Sequence, residues 1–547
     1  MTGADLIARI LKAEGVSQVF NFPFSPIVDA IAGSGTRVIT TRQERVAGNM
    51  ADGVSRSTNG HEIGVWTVQA SAGSENAFAG VAHAYTDSVP MLYLPGHPGI
   101  DAIGVSPTFD SEANYAATTK AAMKLFTPDH IQARMRRAYQ ALRSGRPRPV
   151  MVEIPGDVAR AEFKGEYTYD PVAPVRSGPD GGAVKETAER LLAAENAMIW
   201  VGQGVHWAEA YAELKDVAEL LGIPVMTTLM GKSAFDETHE LSAGTGAGVV
   251  TAMAAHYLRE CDALLVVGSS LSDASFTPTV GPGKLIVHAT NDAVDLNKTH
   301  PTAVAILSDA KLFLAALAEE LRRIGADRTA VRKTNVEILA RIRTVWEAEY
   351  EPEFSDDSSP INGYRMFREL WGVLDPATSI LSHESGSVRD IQCVFHRATT
   401  PRGYLGWGQS SQLGYSLGLA MGTKLANPDK TVVNVMGDAS IGMTGMDLAT
   451  AAQYEIPIMT VMKHDSIFSG YDKHIPVAIE RYGTSTMEGD YTALAQALGC
   501  HAERVETVAN LRPALERGIA ATKEGRPAFV DVITKETRKL SRLDTVG

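Results

Sequence analysis

The sequence predicts an α/β protein made of three consecutive, doubly wound parallel-sheet domains. Apolar, strand-like runs alternate with helical stretches along nearly the whole chain, which is the pattern of parallel sheets covered by helices on both faces. Polar stretches at 166–182 and 352–363, rich in Pro, Gly, Ser or Asp, interrupt this alternation and indicate linkers. The chain has 547 residues, enough for three or four domains of roughly 150 residues each.

The first unit spans residues 1–165. Leu6, Ile7, Ile10 and Leu11 share one helical face, and Gly15 follows them, so the unit is expected to open with a helix that ends at the glycine. We expect further helices after Gln43 and Ser74, and strands at 37–41, 63–69, 90–95 and 149–155.

The second unit spans residues 183–330 and the third spans 364–535. In the second, strands are expected at 197–201, 223–227, 263–267 and 285–288, followed by a charged helix near 311–323. In the third, the apolar run 431–436 indicates a strand that leads into the turn 437–440. A helix over 444–455, with Thr444 as its N-cap, and a strand over 456–463 are expected to follow.

Composition and charge exclude several classes of protein. The net charge is −13 and there is no dense Lys/Arg block, which argues against a nucleic-acid surface. The longest apolar runs are too short for a membrane span, and the N-terminus lacks the pattern of a signal peptide. Three widely separated cysteines form neither a disulfide framework nor a zinc pattern, so we expect a cytoplasmic protein.

Two aspartates mark the carboxyl ends of neighbouring strands in the third unit. Asp438 follows the strand at 431–436, and Asp465 follows the next strand 27 residues later, a spacing that suits one crossover helix. Ligands of such sheets bind at this edge, and two carboxylates there suit Mg²⁺ bound to a diphosphate. The plainer interpretation is a turn residue and a loop carboxylate without a ligand.

A resemblance to a known family rests on these residues. Gly437-Asp438-Ala439-Ser440 followed by His464-Asp465 resembles the signature of thiamin-diphosphate enzymes, in which Gly-Asp-Gly is followed at a similar distance by Asn-Asn. The whole chain resembles the acetolactate synthase and 2-oxo acid decarboxylase group, as an outlying member. This resemblance implies a pyrimidine-binding first domain, a central domain, and a diphosphate- and Mg²⁺-binding third domain.

The resemblance also implies roles at the metal. Asp438 and Asp465 match the two side-chain ligands of Mg²⁺, and Ile467 matches the residue that supplies a backbone carbonyl. Gly437, Ala439 and Ser440 match the residues that meet the diphosphate. Two positions depart from the family pattern, because Ala439 replaces Gly and His464-Asp465 replaces Asn-Asn. Aspartate is a good Mg²⁺ ligand, so we expect the site to survive with one additional negative charge.

Glu44 matches the family's catalytic glutamate, which bonds N1′ of the cofactor's pyrimidine and promotes its imino tautomer. The segment 41–56 contains it at the start of a helix rich in small residues. The alternative is a carboxylate that favours the helix dipole. The segment 68–90 then resembles the family's small-residue turn, helix and Asp-Ser-x-Pro exit, and this resemblance implies that Ser71 and Gly73 in the turn lie near the pyrimidine. Leu413 aligns with the apolar residue that supports the bent cofactor, or is plain core, and Ser387 aligns near the diphosphate.

The substrate pocket departs from that of acetolactate synthases. Their Gly-x-Pro-Gly-Gly loop is replaced by Asn-Phe-Pro-Phe-Ser at 21–25, so Phe24 and Ser25 are expected to line an altered pocket. Further candidates for the lining are Phe109, Trp407, Phe468 and Ser469. His83 and His97 are candidate acid–base groups, although a histidine at a helix or strand end is more often structural.

The resemblance leaves the central domain and the reaction open. Gly202-x-Gly204 after the strand at 197–201 is a weak dinucleotide signal, and the domain binds FAD, ADP or nothing in relatives. The expected reaction makes or breaks a C–C bond beside a carbonyl through ylide and enamine intermediates. The alternatives are a 2-hydroxy ketone or 2-hydroxyacyl-CoA lyase, a nucleotide-dependent oxidoreductase, and a cofactor-binding scaffold. A homodimer or homotetramer is implied, because family sites join two subunits.

Overall fold

A computed structural model describes residues 1–325 and 327–546. The chain forms three consecutive parallel sheets of six strands each, with helices on both faces. The predicted fold class is confirmed. The predicted central unit, 183–330, contains Ala326, which lies outside the described residues.

The first sheet has the strand order β2-β1-β3-β4-β6-β5. Its strands are β1 Gln18–Phe22, β2 Arg37–Thr40, β3 Gly64–Val68, β4 Met91–His97, β5 Ala121–Lys124 and β6 Val150–Pro155. Its helices are α1 Gly3–Ala13, α2 Val28–Gly33, α3 Glu44–Ser57, α4 Ala72–Thr86, α5 Ser111–Tyr115, α6 Ile131–Leu142 and α7 Gly156–Arg160.

The central sheet has the order β12-β11-β10-β7-β8-β9, the arrangement of dinucleotide-binding domains. Its strands are β7 Ala197–Val201, β8 Val225–Thr228, β9 Ser242–Gly246, β10 Ala263–Val267, β11 Leu285–Thr290 and β12 Val304–Leu307. The helices are α8 Gly181–Ala193, α9 Gly204–Ala208, α10 Tyr211–Leu221, α11 Ala252–Glu260, α12 Ala310–Ile324 and α13 Thr329–Phe354.

The third sheet has the order β14-β13-β15-β16-β18-β17, the same relative order as the first. Its strands are β13 Ser379–His383, β14 Tyr404–Leu405, β15 Thr431–Gly437, β16 Met459–His464, β17 His501–Val505 and β18 Ala528–Ile533. The helices are α14 Gly363–Val373, α15 Ser387–Phe395, α16 Tyr415–Ala426, α17 Asp438–Thr444, α18 Leu448–Gln453, α19 Pro476–Tyr482, α20 Tyr491–Ala497 and α21 Val508–Lys523.

Two predicted elements are wrong. The helix expected over 444–455 begins instead at Asp438 and is interrupted by a 3₁₀ turn at Gly445–Asp447. Thr444 caps no helix with its side chain, because its hydroxyl donates to the carbonyl oxygen of Gly414 at 3.0 Å. The predicted break at 352–363 begins too early in the chain, because α13 continues through Pro352 to Phe354. Its buried aromatic side chains pack this end of the helix against the third domain.

Central strands of the sheets are apolar and buried on both faces. All residues of β7 and β10 are buried, as the helices on both sides of a parallel sheet require. None of the helices in the described ranges combines the length and the apolar character of a membrane span.

The first and third domains meet through α3 and α16. Glycines allow the two backbones to approach closely. A Cβ on Gly53 would lie 2.3 Å from the carbonyl oxygen of Leu419, and one on Gly422 would lie 1.9 Å from that of Met50. A Cβ on Gly418 would lie 3.1 Å from the carbonyl oxygen of Val46 near the start of both helices, and Asn427 donates to the Ser57 hydroxyl at 2.9 Å near their ends. The helices α3 and α16 therefore run parallel, with their N-terminal ends together.

A buried ionic cluster fixes the same junction. Arg56 pairs with Asp52 at 2.8 Å and with Asp87 at 3.3 Å, and it donates to the carbonyl oxygen of Gly406 at 2.9 Å. The Tyr415 hydroxyl donates to Asp52 at 2.8 Å, and the backbone N–H of Gly408 donates to Asp87 at 2.8 Å. The ion pairs of the first domain are therefore completed by hydrogen bonds with groups of the third domain, and separation of the domains would remove these hydrogen bonds.

We expect Gly53→Ala to destabilise the protein by about 1–3 kcal/mol, because the new methyl group meets backbone atoms that cannot move aside. This loss outweighs the gain in helix propensity, about 1 kcal/mol. The apparent thermal midpoint measures it.

Gly33→Ala is the matched control, because Gly33 also lies in a helix and its Cβ would have no neighbour within 4 Å. Equal midpoints for Gly53→Ala and the parent protein would contradict the close packing of α3 on α16.

Candidate active site

The strand order of the third sheet defines a crevice at its carboxyl edge. The chain leaves β13 toward β14 on one side and returns to β15 on the other, so the loops after β13 and β15 diverge there. Ligands of open parallel sheets bind at such a switch point. Glu384 and Ser387 follow β13, and Asp438 follows β15, which places them on the two sides of this crevice.

Asp438 and Asp465 lie together at this edge. β15 pairs in parallel with β16, with Gly437 opposite Lys463, so the two aspartates follow the same point of adjacent strands. Asp438 accepts hydrogen bonds from the backbone N–H groups of Ala439 and Ser466, both at 2.7 Å. Burial, and then the neighbouring charge of Asp465, raise the pKa of Asp438 to about 6.

Ala439 fits the backbone that the structure gives it. The residue is the second of α17, two positions after the N-cap Gly437, and is not among the residues with positive φ. Alanine is therefore unstrained where the family pattern has glycine.

Asp465 has a partner that sequence reasoning missed. The ammonium group of Lys463 lies 2.6 Å from Oδ2 of Asp465, and the Ser469 hydroxyl donates to the same oxygen at 3.0 Å. The sequence does contain a signal for this pair. Lys463 and Asp465 are two residues apart, and side chains two residues apart along a strand lie on the same face of the sheet.

The donor set fits a magnesium diphosphate. Mg²⁺ prefers oxygen ligands and is often held by one or two carboxylates together with substrate phosphates. The edge supplies two carboxylates side by side, and burial together with the neighbouring charge of Asp465 raises the pKa of Asp438, as a carboxylate without a cation requires. In the described part of the chain, no three His, Cys, Asp or Glu side chains converge as a complete metal cage, so further ligands would have to come from the diphosphate and the backbone.

The other residues predicted for this half of the site lie around the same edge. Ser440 is buried in the first turn of α17, and Ser387 is the first residue of α15. Leu413 precedes Gly414, the N-cap of α16. Ile467 lies beyond Asp465 and forms an isolated antiparallel bridge with Thr486. Their roles as cofactor-binding residues stay predictions.

Glu44 is the first residue of α3 and is buried. Its carboxylate lies 3.5 Å from the side-chain nitrogen of Asn76 on α4. The flanking residues tie this end of α3 to the third domain, because Gln43 donates to the carbonyl oxygen of Met443 at 3.0 Å and the N–H of Arg42 donates to Asp447 at 2.8 Å. The start of α3 is thus fixed to the crossover that begins at Asp438.

The turn before α4 is strained and tightly packed. Ser71 has φ 59° and ψ −104°, a conformation that non-glycine residues rarely adopt. A Cβ on Gly73 would lie 2.8 Å from Cγ of Gln69, so only glycine allows α4 to start this close to the end of β3. Strain at such a turn is typical of ligand-binding sites.

Sequence profiles of one enzyme family match all three domains. The N-terminal thiamine pyrophosphate (thiamin diphosphate) binding domain matches residues 1–120, the central domain matches 184–317, and the C-terminal binding domain matches 385–532. The chain belongs to the thiamine pyrophosphate enzyme family. The predicted family is confirmed.

Similar curated proteins span the whole chain. The large subunit of acetolactate synthase from Parasynechococcus marenigrum is 30% identical, with 97% of this chain and 87% of the relative aligned. Acetolactate synthase isozyme 3 large subunit of Escherichia coli is 27% identical, with 97% and 94% aligned. The Haemophilus influenzae large subunit is 28% identical, with 100% and 97% aligned. The protein is a thiamin-diphosphate-dependent enzyme of an acetolactate-synthase-like kind.

The residues predicted to line the substrate pocket of this thiamine pyrophosphate enzyme lie in different surroundings. Phe24 is 64% exposed, whereas the neighbouring Ser25 is buried and its Oγ accepts from Thr67 at 2.6 Å. Phe109, Phe468 and Ser469 are half-buried. Trp407 is fully buried and contacts Phe276 and Arg389.

The two histidines considered as acid–base groups have structural partners in the enzyme. His83 is buried, lies 3.3 Å from Asp87, and stacks on Tyr415 at 3.9 Å. His97, also buried, accepts from the backbone N–H of Gly99 at 3.3 Å. These contacts favour the structural interpretation.

Glu384 is a buried carboxylate of the enzyme that sequence reasoning missed. It accepts from the backbone N–H and the hydroxyl of Ser416, at 3.1 and 2.9 Å, and the adjacent Ser385 bonds the hydroxyl of Ser411 at 2.9 Å. These bonds join the loop after β13 to the loop before α16, which carries Leu413. Burial raises the pKa of Glu384 to about 7, although the Ser416 hydrogen bonds oppose the shift.

A cavity of about 460 Å³ lies between the first and central domains of the enzyme. It includes the switch point of the central sheet, where the loops after β7 and β10 diverge. A Cβ on Gly202 would lie 2.3 Å from the carbonyl oxygen of Gly268, so glycine is required for these loops to meet. Arg146 and Asp295, 2.8 Å apart, also line the cavity.

The raised pKa of Glu384 predicts a pH-dependent stability. The folded state holds this proton more tightly than the unfolded chain does, so stability falls as the pH rises from about 4.5 through about 7. Gln cannot ionise but can accept the Ser416 hydrogen bonds. Between about pH 5 and about pH 8 we therefore expect Glu384→Gln to gain on the order of 1–3 kcal/mol relative to the parent protein.

Chemical denaturation at both pH values measures this difference, and Glu516→Gln, at an exposed position of α21, serves as the control. A difference that does not change with pH would show that Glu384 does not titrate in this range.

Proposed function

We propose that this enzyme holds Mg²⁺ and thiamin diphosphate at the carboxyl edge of the third sheet and makes or breaks a C–C bond beside a carbonyl, as a lyase or transferase. The convergence of Asp438 and Asp465 at the switch point carries the proposal. The full-length similarity to acetolactate synthases favours a 2-oxo acid as substrate. A screen of 2-oxo acids, 2-hydroxy ketones and 2-hydroxyacyl-CoA thioesters with mass detection tests it, and cofactor-dependent consumption of none would overturn it.

When bound, the cofactor would supply a carbon nucleophile, formed by loss of an acidic C–H proton, that adds to carbonyl carbons and holds the electron pair released beside them. The protein groups would bind and orient the cofactor. Mg²⁺ would be held by Asp438, Asp465 and the carbonyl of Ile467. The diphosphate would be held by Gly437, Ala439, Ser440 and Ser387, and the rings by Leu413, Ser71 and Gly73. Glu44 would hold the proton at N1′ of the pyrimidine, where a buried carboxyl is suited to proton sharing.

The substrate pocket is proposed to differ from that of the acetolactate synthases. Phe24, Ser25, Phe109, Trp407, Phe468 and Ser469 are the proposed lining. The exposed ring of Phe24 occupies volume that a glycine at that position would leave open, which favours a shape of substrate other than pyruvate. The three free cysteines support a cytoplasmic location, where thiols stay reduced.

The central cavity is proposed to bind a nucleotide, either FAD or ADP. Its position at the switch point of a sheet with dinucleotide-binding strand order supports this proposal. Flavin fluorescence of the heat-released supernatant identifies FAD, and a thermal shift with added ADP identifies ADP. Neither signal would be expected if the cavity binds no nucleotide.

We also propose that two copies of the chain complete each active site, as the family resemblance implies. Exposed apolar side chains lie on the elements beside the start of α3. Phe78 on α4 is 42% exposed, and Met443 and Met446 on the crossover after Asp438 are 47% and 54% exposed. Clustered exposed apolar groups are typical of subunit contacts.

We expect Glu44→Gln to retain Mg²⁺-dependent cofactor binding but to slow exchange of the thiazolium C2 proton by about 100-fold or more, because the group that shares the N1′ proton is lost. Asp438→Ala should instead lose the metal-dependent binding. Calorimetry measures binding, and proton NMR in deuterium oxide measures exchange. Exchange at the parent rate in Glu44→Gln would exclude Glu44 as the catalytic acid.

Mixing the two inactive variants tests the shared site. In a mixed dimer of Glu44→Gln and Asp438→Ala, one site collects both defects and the other collects none. Random exchange of subunits should therefore restore about one quarter of the parent activity. Native mass spectrometry verifies that mixed dimers form. Mixed dimers without activity would show that each chain supplies both residues to its own site.

A further inference from the structure

The pair between Lys463 and Asp465 is enclosed in the third domain. The two side chains are 2% and 8% exposed. Oδ2 of Asp465 accepts hydrogen bonds from both the Lys463 ammonium and the Ser469 hydroxyl. Oδ1 accepts no hydrogen bond from the residues that the structure describes. One oxygen of the carboxylate is thus committed to the protein, and the other stays free at the edge where Asp438 lies.

The fold provides space for this lysine. Lys463 stands opposite Gly437 in β15 and Val532 in β18, and its chain extends toward the N-terminus of α14. A Cβ on Gly363 would lie 3.1 Å from Cε of Lys463, so the glycine leaves room for it. A buried ammonium group is costly unless a counter-charge accompanies it, and Asp465 is that counter-charge.

Charge at the edge depends on this lysine. Asp438 and Asp465 would together contribute two negative charges to a site that must also receive an anionic diphosphate. Lys463 contributes one positive charge within hydrogen-bond distance of Asp465. These three side chains together therefore carry one net negative charge, the same as one aspartate with one asparagine.

We propose that Lys463 is a charge-compensating residue of the metal site, which pairs with Oδ2 of Asp465 and leaves Oδ1 to bind the divalent cation. Asp465 then presents one oxygen to the metal in the manner of an asparagine amide. This inference rests on the proposed function, because it assumes that Asp438 and Asp465 bind Mg²⁺ with thiamin diphosphate. A purely structural ion pair would stabilise β16 without setting the affinity for the cation.

A double-mutant cycle distinguishes an effect of Lys463 on the affinity for the cation from a purely structural ion pair. Lys463→Met removes the ammonium while keeping an apolar stem, Asp465→Asn removes the carboxylate charge, and the double variant restores the net charge of the parent protein. Lys232→Met is the matched control, because Lys232 forms another buried pair, with Glu237 at 2.5 Å. Electron paramagnetic resonance measures the binding of Mn²⁺ in the presence of thiamin diphosphate, and thermal midpoints report stability separately.

We expect Lys463→Met to bind Mn²⁺ about tenfold or more tightly than the parent, and Asp465→Asn about tenfold or more weakly, since each changes the site by one unit charge. The double variant should return to within about threefold of the parent, and Lys232→Met should change stability but not Mn²⁺ affinity. If Lys463→Met weakens or leaves unchanged the binding of Mn²⁺, the lysine does not compensate charge. If the parent protein shows no cofactor-dependent Mn²⁺ binding, the proposed function itself fails and this inference falls with it.

Discussion

The close approach of α3 and α16 is the constraint on which the candidate site depends. Gly53 and Gly422 bring the two backbones into contact, and larger side chains would separate them. Both helices start at the carboxyl edges of their sheets, α3 with Glu44 and α16 directly after Leu413 and Gly414. Parallel packing therefore carries the ends of both sheets to one junction. The first and third domains of one chain keep their relative position only while this contact holds, and with it the positions at which that chain offers Glu44 and Asp438 to the proposed two-chain sites.

The buried carboxylates of the junction and of the candidate site differ in how their negative charges are compensated. Asp52 and Asp87 have Arg56 and backbone or hydroxyl donors close by, so their charges are satisfied within the chain. Asp438 has two backbone donors but also the charge of Asp465, and its pKa is raised. An unrelieved negative charge at a sheet edge is what attracts a cation. Arg56 thus compensates the carboxylates that hold the domains together, whereas Asp438 has backbone donors, which suits the proposed cation.

Sequence patterns predicted the layers of the fold because buried parallel strands leave continuous apolar runs. β7 and β10 match their predicted bounds for this reason. The start of α17 was missed because it depends on tertiary contacts: Thr444 looks like an N-cap in the sequence, but its hydroxyl is taken by Gly414, thirty residues away in the chain. The same limit explains why Glu384 escaped notice, since its burial arises only when the loop before α16 folds over it. Asp438 and Asp465 could be predicted because strand ends fix where they lie.

The contact between the first and third domains also affects folding during synthesis, which proceeds from the N-terminus of the chain. Asp52 meets Tyr415, which is 363 residues further along the chain. At ribosomal rates of 5–20 residues per second, about 20–70 s pass between the emergence of these two partners. Throughout that interval the first domain presents the face of α3 without its helix partner and without the Tyr415 and Gly408 donors to Asp52 and Asp87. The nascent first domain therefore exposes this helix face until α16 has been synthesised.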